Sequence, residues 1–160
     1  MFIGVECQRT NNLPLAEKLL SKACESCPNS ALAAHELGVT LYRGNDLEAA
    51  ERHFERALAL APGGMAEARA ATLVCLGHCL RKRRDLEGAL SAYRQALALE
   101  PGRAGTLAAE AFTLHLMGDL GGAIDGYHRA LTAQPDHPFV CDMLPVAIEQ
   151  HAREALGLGS

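Results

Sequence analysis

The chain has 160 residues, a net charge of −4, 21% charged and 49% apolar residues, and only 4% aromatics with no Trp. That is one domain's worth of chain with enough apolar mass to bury a core, which excludes a disordered segment. Its 15 basic and 19 acidic side chains give no general attraction to phosphate backbones or anionic lipid, so neither nucleic acid nor a membrane is expected as a partner.

The opening stretch MFIGVECQRT has no basic segment leading into an apolar run, and no stretch approaches 18 uninterrupted apolar residues. A protein without a secretory signal, working inside the cell, is expected. Cys7, Cys24, Cys27, Cys75, Cys79 and Cys141 are too sparse for a disulfide scaffold and are read as reduced thiols.

A repeat organises the rest. Pro28, Pro62, Pro101 and Pro135 lie 34, 39 and 34 residues apart, and the same offsets link Ala16, Ala50, Ala89 and Ala123. They recur in Ala23, Ala57, Ala96 and Ala130, in Leu13, Leu47, Leu86 and Leu120, and in the large residues Leu20, Phe54, Tyr93 and Tyr127. The small residues Gly4, Gly38, Gly77 and Ala111 share them too. Small residues in register with a large one are what two closely approaching helices need. Asn12, Asp46, Asp85 and Asp119 fall just before each second helix, where a short side-chain oxygen caps the first turn. Gly44 and Gly118 are placed to end two first helices in a left-handed turn, and the recurring Pro closes each second helix.

In chain order this predicts four helix–turn–helix units over 1–30 (incomplete at its start), 31–64, 70–103 and 104–137. Residues 138–160 form a partial fifth repeat, a capping helix from 139 to about 150, and a tail. Five extra residues within 63–70 are expected to lengthen the connection between units without disturbing either helix pair. Two positions break the pattern. Glu110 stands where the other units place an apolar residue, so it needs a partner or a rotated helix pair. Pro145 occupies the small-residue column of the last segment, which predicts a helix kinked there or starting there. The pattern is that of the tetratricopeptide repeat, an all-α, right-handed superhelical solenoid of antiparallel helix pairs.

In such a solenoid the first helices line the concave face, and their non-core residues are the candidate binding surface. These are Leu32, His35, Val39, Tyr42 and Arg43 from the second unit, Val74, His78, Arg81 and Lys82 from the third, and Ala108, Phe112 and His115 from the fourth. A peptide or a small helix is the natural ligand. A carboxylate clamp of the kind that holds chaperone C-termini is not expected, because its sites carry His35, Val39 and Cys75; nor is an asparagine ladder, because Glu36, Cys75 and Ala109 stand there. Cys24-x-x-Cys27 and Cys75-x-x-x-Cys79 lie on predicted helices of different units and are read as packing residues, with no metal site. The run Arg81-Lys82-Arg83-Arg84 resembles a short nuclear address, but it also ends a first helix, where cations complement the dipole. No phosphate loop, nucleophile elbow or paired catalytic carboxylate is present, so no enzyme chemistry and no cofactor are expected.

Beyond the generic repeat, the ordered strings MFIGVEC, LAEKLLSKA, HELGV, LGH-x-x-RK, RQAL, LHLMGD and DGYHRAL resemble the C-terminal repeats of the cell-division-cycle-sixteen family, the sixth subunit of the anaphase-promoting complex. The resemblance covers about residues 1–150. It implies a non-catalytic scaffold in a multi-subunit ubiquitin ligase, found in nucleus and cytoplasm. Its partners would be other cyclosome subunits, and its groove would enclose a small subunit like the cell-division-cycle-twenty-six protein, with His35, Tyr42, His78 and Phe112 foremost. Two other readings stand beside it: a repeat adaptor of another pathway, and the repeat part of a larger regulated enzyme. An apolar face containing Phe2 and Val5 on the first helix predicts self-association or a missing upstream repeat.

Overall fold

The computed structural model describes residues 12–61 and 65–157, so the readings that involve Phe2, Gly4, Val5, Cys7 and Pro62 lie outside the described residues. Among these residues there are eight α-helices and no strands: α1 (Leu13–Ser26), α2 (Ala31–Arg43), α3 (Leu47–Leu60), α4 (Ala66–Lys82), α5 (Leu86–Leu99), α6 (Ala104–Met117), α7 (Leu120–Ala133) and α8 (Pro138–Ala155). The helices pack as the hairpins α2/α3, α4/α5 and α6/α7, and each second helix stacks on the first helix of the next unit, down to α7 on α8.

Each hairpin is closed by one fused motif. Asp46, Asp85 and Asp119 accept through a carboxylate oxygen from the backbone N–H groups of Ala49, Gly88 and Gly122 at 3.1, 2.9 and 2.9 Å, capping the second helix. The backbone N–H groups of the same three residues donate back to Leu41, Leu80 and Leu114 at 2.9, 3.0 and 3.0 Å, which closes the preceding helix in a Schellman turn. The residue before each Asp must then be left-handed. It is Asn45 (φ 67°), Arg84 (φ 70°) and Gly118 (φ 83°). Gly118 does what the sequence predicts, whereas Gly44 does not: its φ is −73°, and Asn45 makes the left-handed turn one residue later. Asn tolerates that conformation at small cost. The second helices stop at Ser26, Leu60, Leu99 and Ala133, two residues before the recurring prolines.

Within each hairpin the small-residue column faces the large one. A Cβ added to Gly38 would stand 2.8 Å from Phe54 Cδ1, and one added to Gly77 would stand 2.5 Å from Tyr93 Cε1. The fourth unit carries Ala111 in that column, and the adjustment comes from the opposite helix. Gly126 sits beside Tyr127, and a Cβ there would lie 2.8 Å from Ala111 Cβ. The preceding unit has Gly77 and Ala92 at the same two positions, so one methyl group has moved across the interface. Phe54, Tyr93 and Tyr127 are all fully buried.

Three irregularities take definite form. The insertion after α3 is partly helical: α4 begins at Ala66 and has 17 residues, against 13 in α2 and 14 in α6. It adds a turn to the first helix of the unit rather than only lengthening the connection, and Arg69 Nη1 donates to the Leu58 carbonyl at 3.0 Å, tying that turn to the end of α3. Glu110 has partners: its side chain is 8% exposed, with Arg94 Nε at 3.2 Å and Arg129 Nη1 at 3.6 Å, so one carboxylate of α6 bridges α5 and α7. The last helix does not start at Pro145. It starts at Pro138, runs through Pro145 to Ala155, and is held by the fully buried Val140 and Ala147. Pro145 is exposed because the column that meets Phe54, Tyr93 and Tyr127 in earlier units has no second helix to meet here among the described residues.

The tight glycine column yields a direct test. Gly77→Ala should destabilise the chain by about 1–3 kcal/mol, because the methyl group would displace the buried Tyr93 ring. Gly105→Ala, where a Cβ meets nothing within 4 Å, should be neutral or stabilising by up to ~1 kcal/mol. Urea unfolding followed by circular dichroism separates the two outcomes.

Candidate protein-binding groove

The first helices α2, α4, α6 and α8 touch one another in succession and make one continuous wall. Of the residues singled out from the sequence, Leu32, Arg43 and Lys82 are exposed on it, and His35, Val39, Tyr42, Val74, His78, Arg81, Phe112 and His115 are half-buried. Ala108 is a correction. It is 3% exposed and belongs to the core of the α6/α7/α8 cluster, with only its edge reaching the groove.

The histidines are the groove-side ends of the buried aromatic column. The Tyr93 hydroxyl shares a hydrogen bond with His78 Nδ1 at 2.7 Å, their rings 5.4 Å apart and inclined at 62°. A buried phenol needs such a partner. His115 Nδ1 lies 3.4 Å from the Tyr127 hydroxyl, and its Nε2 lies 2.6 Å from Gln150 Oε1 on α8. His35 packs against Phe54 at 6.0 Å, and its Nδ1 lies 3.0 Å from Thr72 Oγ1. Since the Thr72 hydroxyl donates to the Ala68 carbonyl at 2.8 Å, His35 Nδ1 carries the proton of its pair. Each ring therefore spends a nitrogen on the fold.

Burial tunes these groups. It pushes His78 down to about 4, with the neighbouring Arg81 adding to the effect, and pushes His35 down against the opposing pull of Glu36. It raises Tyr127 to about 12 and Cys75 to about 11. His35, His78, Tyr127 and Cys75 are thus neutral at pH 7, and the positive charge on the wall comes from the basic run. The Arg81 guanidinium lies 5.1 Å over the Phe112 ring, the Lys82 ammonium 5.1 Å from the Tyr42 ring, and Arg83 pairs with Glu51. Arg84 takes the left-handed turn position. The run is folded into a helix end, the role in which its cations serve the dipole.

Two hollows open on this wall. One, of about 200 Å³, lies between α4, α6 and α8, with Phe112 and Phe139 as edge-to-face walls 5.2 Å apart. The other, of about 270 Å³, lies between α2, α3 and α4, bordered by Leu32, Met65 and Ala68. Sequence reasoning missed Phe139 and Met65. The first had been assigned to the capping helix, and the second lies in the insertion, whose helical turn no repeat column marks. The described cysteines Cys24, Cys27, Cys75, Cys79 and Cys141 are free, and Cys79 Sγ donates to the Leu47 carbonyl at 3.2 Å. No cluster that could hold a metal ion occurs among the described residues, and no helix there is long and apolar enough to cross a membrane.

The lowered histidines carry a pH signature. His78, His35 and His53 are depressed below 6.5, so the unfolded chain takes up protons that the folded chain does not. Stability is fully present above pH 6.5 and falls as pH drops toward 4. Between pH 7 and about pH 5 the urea midpoint should fall in the wild type and fall less steeply in His78→Gln, which keeps a partner for Tyr93.

Comparison with known proteins bears on what this wall is for. The tetratricopeptide repeat matches residues 31–63 and 70–103. Anaphase-promoting complex subunit 6 of Arabidopsis thaliana is 40% identical over 148 residues, which is 92% of this chain and 27% of that protein. The cell division cycle protein 16 homolog of Homo sapiens is 34% identical over 155 residues, 94% of this chain and 25% of that protein. The chain spans about a quarter of the length of these curated relatives. The crystal structure of the APC/C hetero-tetramer Cut9-Hcn1 superposes with a TM-score of 0.86 at 29% identity, covering 92% of this chain and 29% of that one. The crystal structure of MamA superposes at 0.84 with 19% identity, over 95% of this chain and 86% of that one, a likeness of fold alone. The chain is a tetratricopeptide-repeat protein whose repeats resemble those of the cell-division-cycle-sixteen subunits of the anaphase-promoting complex.

Proposed function

We propose that this chain is a non-catalytic scaffold, a subunit or fragment of an anaphase-promoting-complex-type ubiquitin ligase, and that its concave wall holds a peptide or small subunit of that complex. The observation that carries this reading is the 40% identity to Arabidopsis anaphase-promoting complex subunit 6 across 92% of the chain. The relative in the Cut9-Hcn1 hetero-tetramer, a protein in complex with another, shares the solenoid at a TM-score of 0.86. The groove supports it physically: a ring-lined floor with hollows of about 200 and 270 Å³ and a basic edge at Arg81 and Lys82 is a surface for side chains rather than for chemistry on a substrate. The units 1–30, 31–64, 70–103 and 104–137, capped by the segment after 138, make up the scaffold, and nucleus and cytoplasm are where it works.

Affinity capture of the tagged chain from its source cell, followed by mass spectrometry, tests the reading. Other anaphase-promoting-complex subunits should be recovered, and a small subunit should be lost when the exposed groove residues are changed together as Leu32→Glu and Lys82→Glu. Steady recovery of an unrelated complex, or capture indifferent to that double change, would sink it. The scaffold also self-associates through the apolar side chains of Phe2 and Val5. Light scattering should then show a species larger than the monomer that Phe2→Ser with Val5→Ser removes, and a strictly monomeric wild type argues the other way.

A further inference from the structure

The hollow between α4, α6 and α8 contains an unbalanced charge. Arg81 enters none of the ion pairs formed among the described residues, and its Nε is buried with no hydrogen-bond partner. Its guanidinium lies 5.1 Å over the Phe112 ring, and its other close neighbours, His78 and the Tyr93 hydroxyl to which it hydrogen-bonds, are neutral at pH 7 and supply no counter-charge. Across the hollow, His137 Nδ1 is likewise buried without a partner. The remaining wall is apolar: the Phe112 and Phe139 rings stand edge-to-face, and Gly105 leaves open space where a Cβ would be. A half-buried guanidinium with an orphaned N–H asks for a charged acceptor, and a rigid planar donor of this kind prefers a carboxylate.

We infer that this hollow receives one apolar side chain of a partner protein, Leu to Phe in size, whose neighbouring Asp or Glu carboxylate pairs with Arg81. This rests on the reading of the wall as a protein-binding groove. An acid within the partner's chain fits better than a terminal carboxylate. The wall continues past the hollow toward α2, and the Lys and Asn positions that clamp a chain terminus are occupied by His35, Val39 and Cys75. At about 200 Å³ the hollow has room for one such side chain, and the carboxylate supplies the counter-charge that the fold lacks.

The test is an NMR titration of the isotope-labelled full chain with 3-phenylpropionate, which carries a ring and a carboxylate, and with its neutral amide. The acid should shift the amide signals of Gly105, Ala109 and Phe139 with an affinity on the order of 1 mM, the range for so small a ligand, and the amide should bind about 10-fold more weakly. Arg81→Gln should make the two alike. Gly105→Leu, whose Cβ meets nothing within 4 Å and whose longer side chain extends toward the hollow, should abolish both while leaving Arg81 in place. A capped peptide with an internal Phe-Glu pair should bind more tightly than its Phe-Gln counterpart and than a peptide ending in a free Phe carboxylate. Equal binding of acid and amide to the wild type, binding that survives Gly105→Leu, or preference for the free terminus overturns the inference. If Leu32→Glu with Lys82→Glu abolishes subunit capture while acid and amide bind alike, the groove reading stands and the hollow's chemistry fails. If the acid alone binds while that variant captures as wild type does, the hollow's chemistry stands and the groove reading fails.

Discussion

The structure depends on one contact made three times: a ring of the second helix pressed against a glycine or alanine on the first. Phe54 meets Gly38, Tyr93 meets Gly77, and Tyr127 meets Ala111 once Gly126 has given up its own methyl group. Burying such a ring contributes roughly 1.5–3 kcal/mol, and only a glycine or alanine opposite lets it go in without displacing a helix. Because the ring enters edge-on between two helices, it sets the distance at which they pack. The scarcity of aromatics, 4% of the chain, fits that arrangement, since each hairpin fully buries one ring and small residues fill the contacts around it.

The groove is the far end of the same contact. Tyr93 and Tyr127 carry a hydroxyl to the concave face, where a buried phenol without a partner would cost about 1–3 kcal/mol. His78 and His115 meet that need, so side chains that look like ligand-binding groups are first of all satisfied members of the fold. His35 backs onto Phe54, which has no hydroxyl to offer, and turns to Thr72 of the next unit instead. What is left over for a partner is the two hollows and the cations Arg81 and Lys82 at the end of α4.

Glu110 shows how an exception to the repeat is absorbed. A carboxylate in an apolar column is tolerated because Arg94 and Arg129 reach it from the helices on either side, with their own side chains 60% exposed. The charge is buried but its partners keep their hydration, so the desolvation cost falls on one group instead of three.

Much of this architecture is legible in the residue order alone. The helix pairs, the caps at Asp46, Asp85 and Asp119, and the stops before the recurring prolines are local events, decided by hydrogen bonds within a few residues, and a short-range code suffices for them. The small and large columns are legible as well, because stacking copies of one unit repeats the same steric demand every 34 residues. Where local signals competed, the tertiary structure decided. Gly44 looked like the left-handed residue, but the Schellman bond from Asp46 to Leu41 places that role on Asn45. Pro145 looked like a helix boundary, but Val140 and Ala147 pack the helix against α7 across it. The groove is split in the same way. Its lining residues can be listed from helix periodicity, yet which nitrogen each histidine spends, which cation lies on which ring, and that Phe139 closes a hollow against Phe112 depend on side chains from different units meeting in space. A repeat pattern carries no information on that, because these contacts lie at the positions where the units differ.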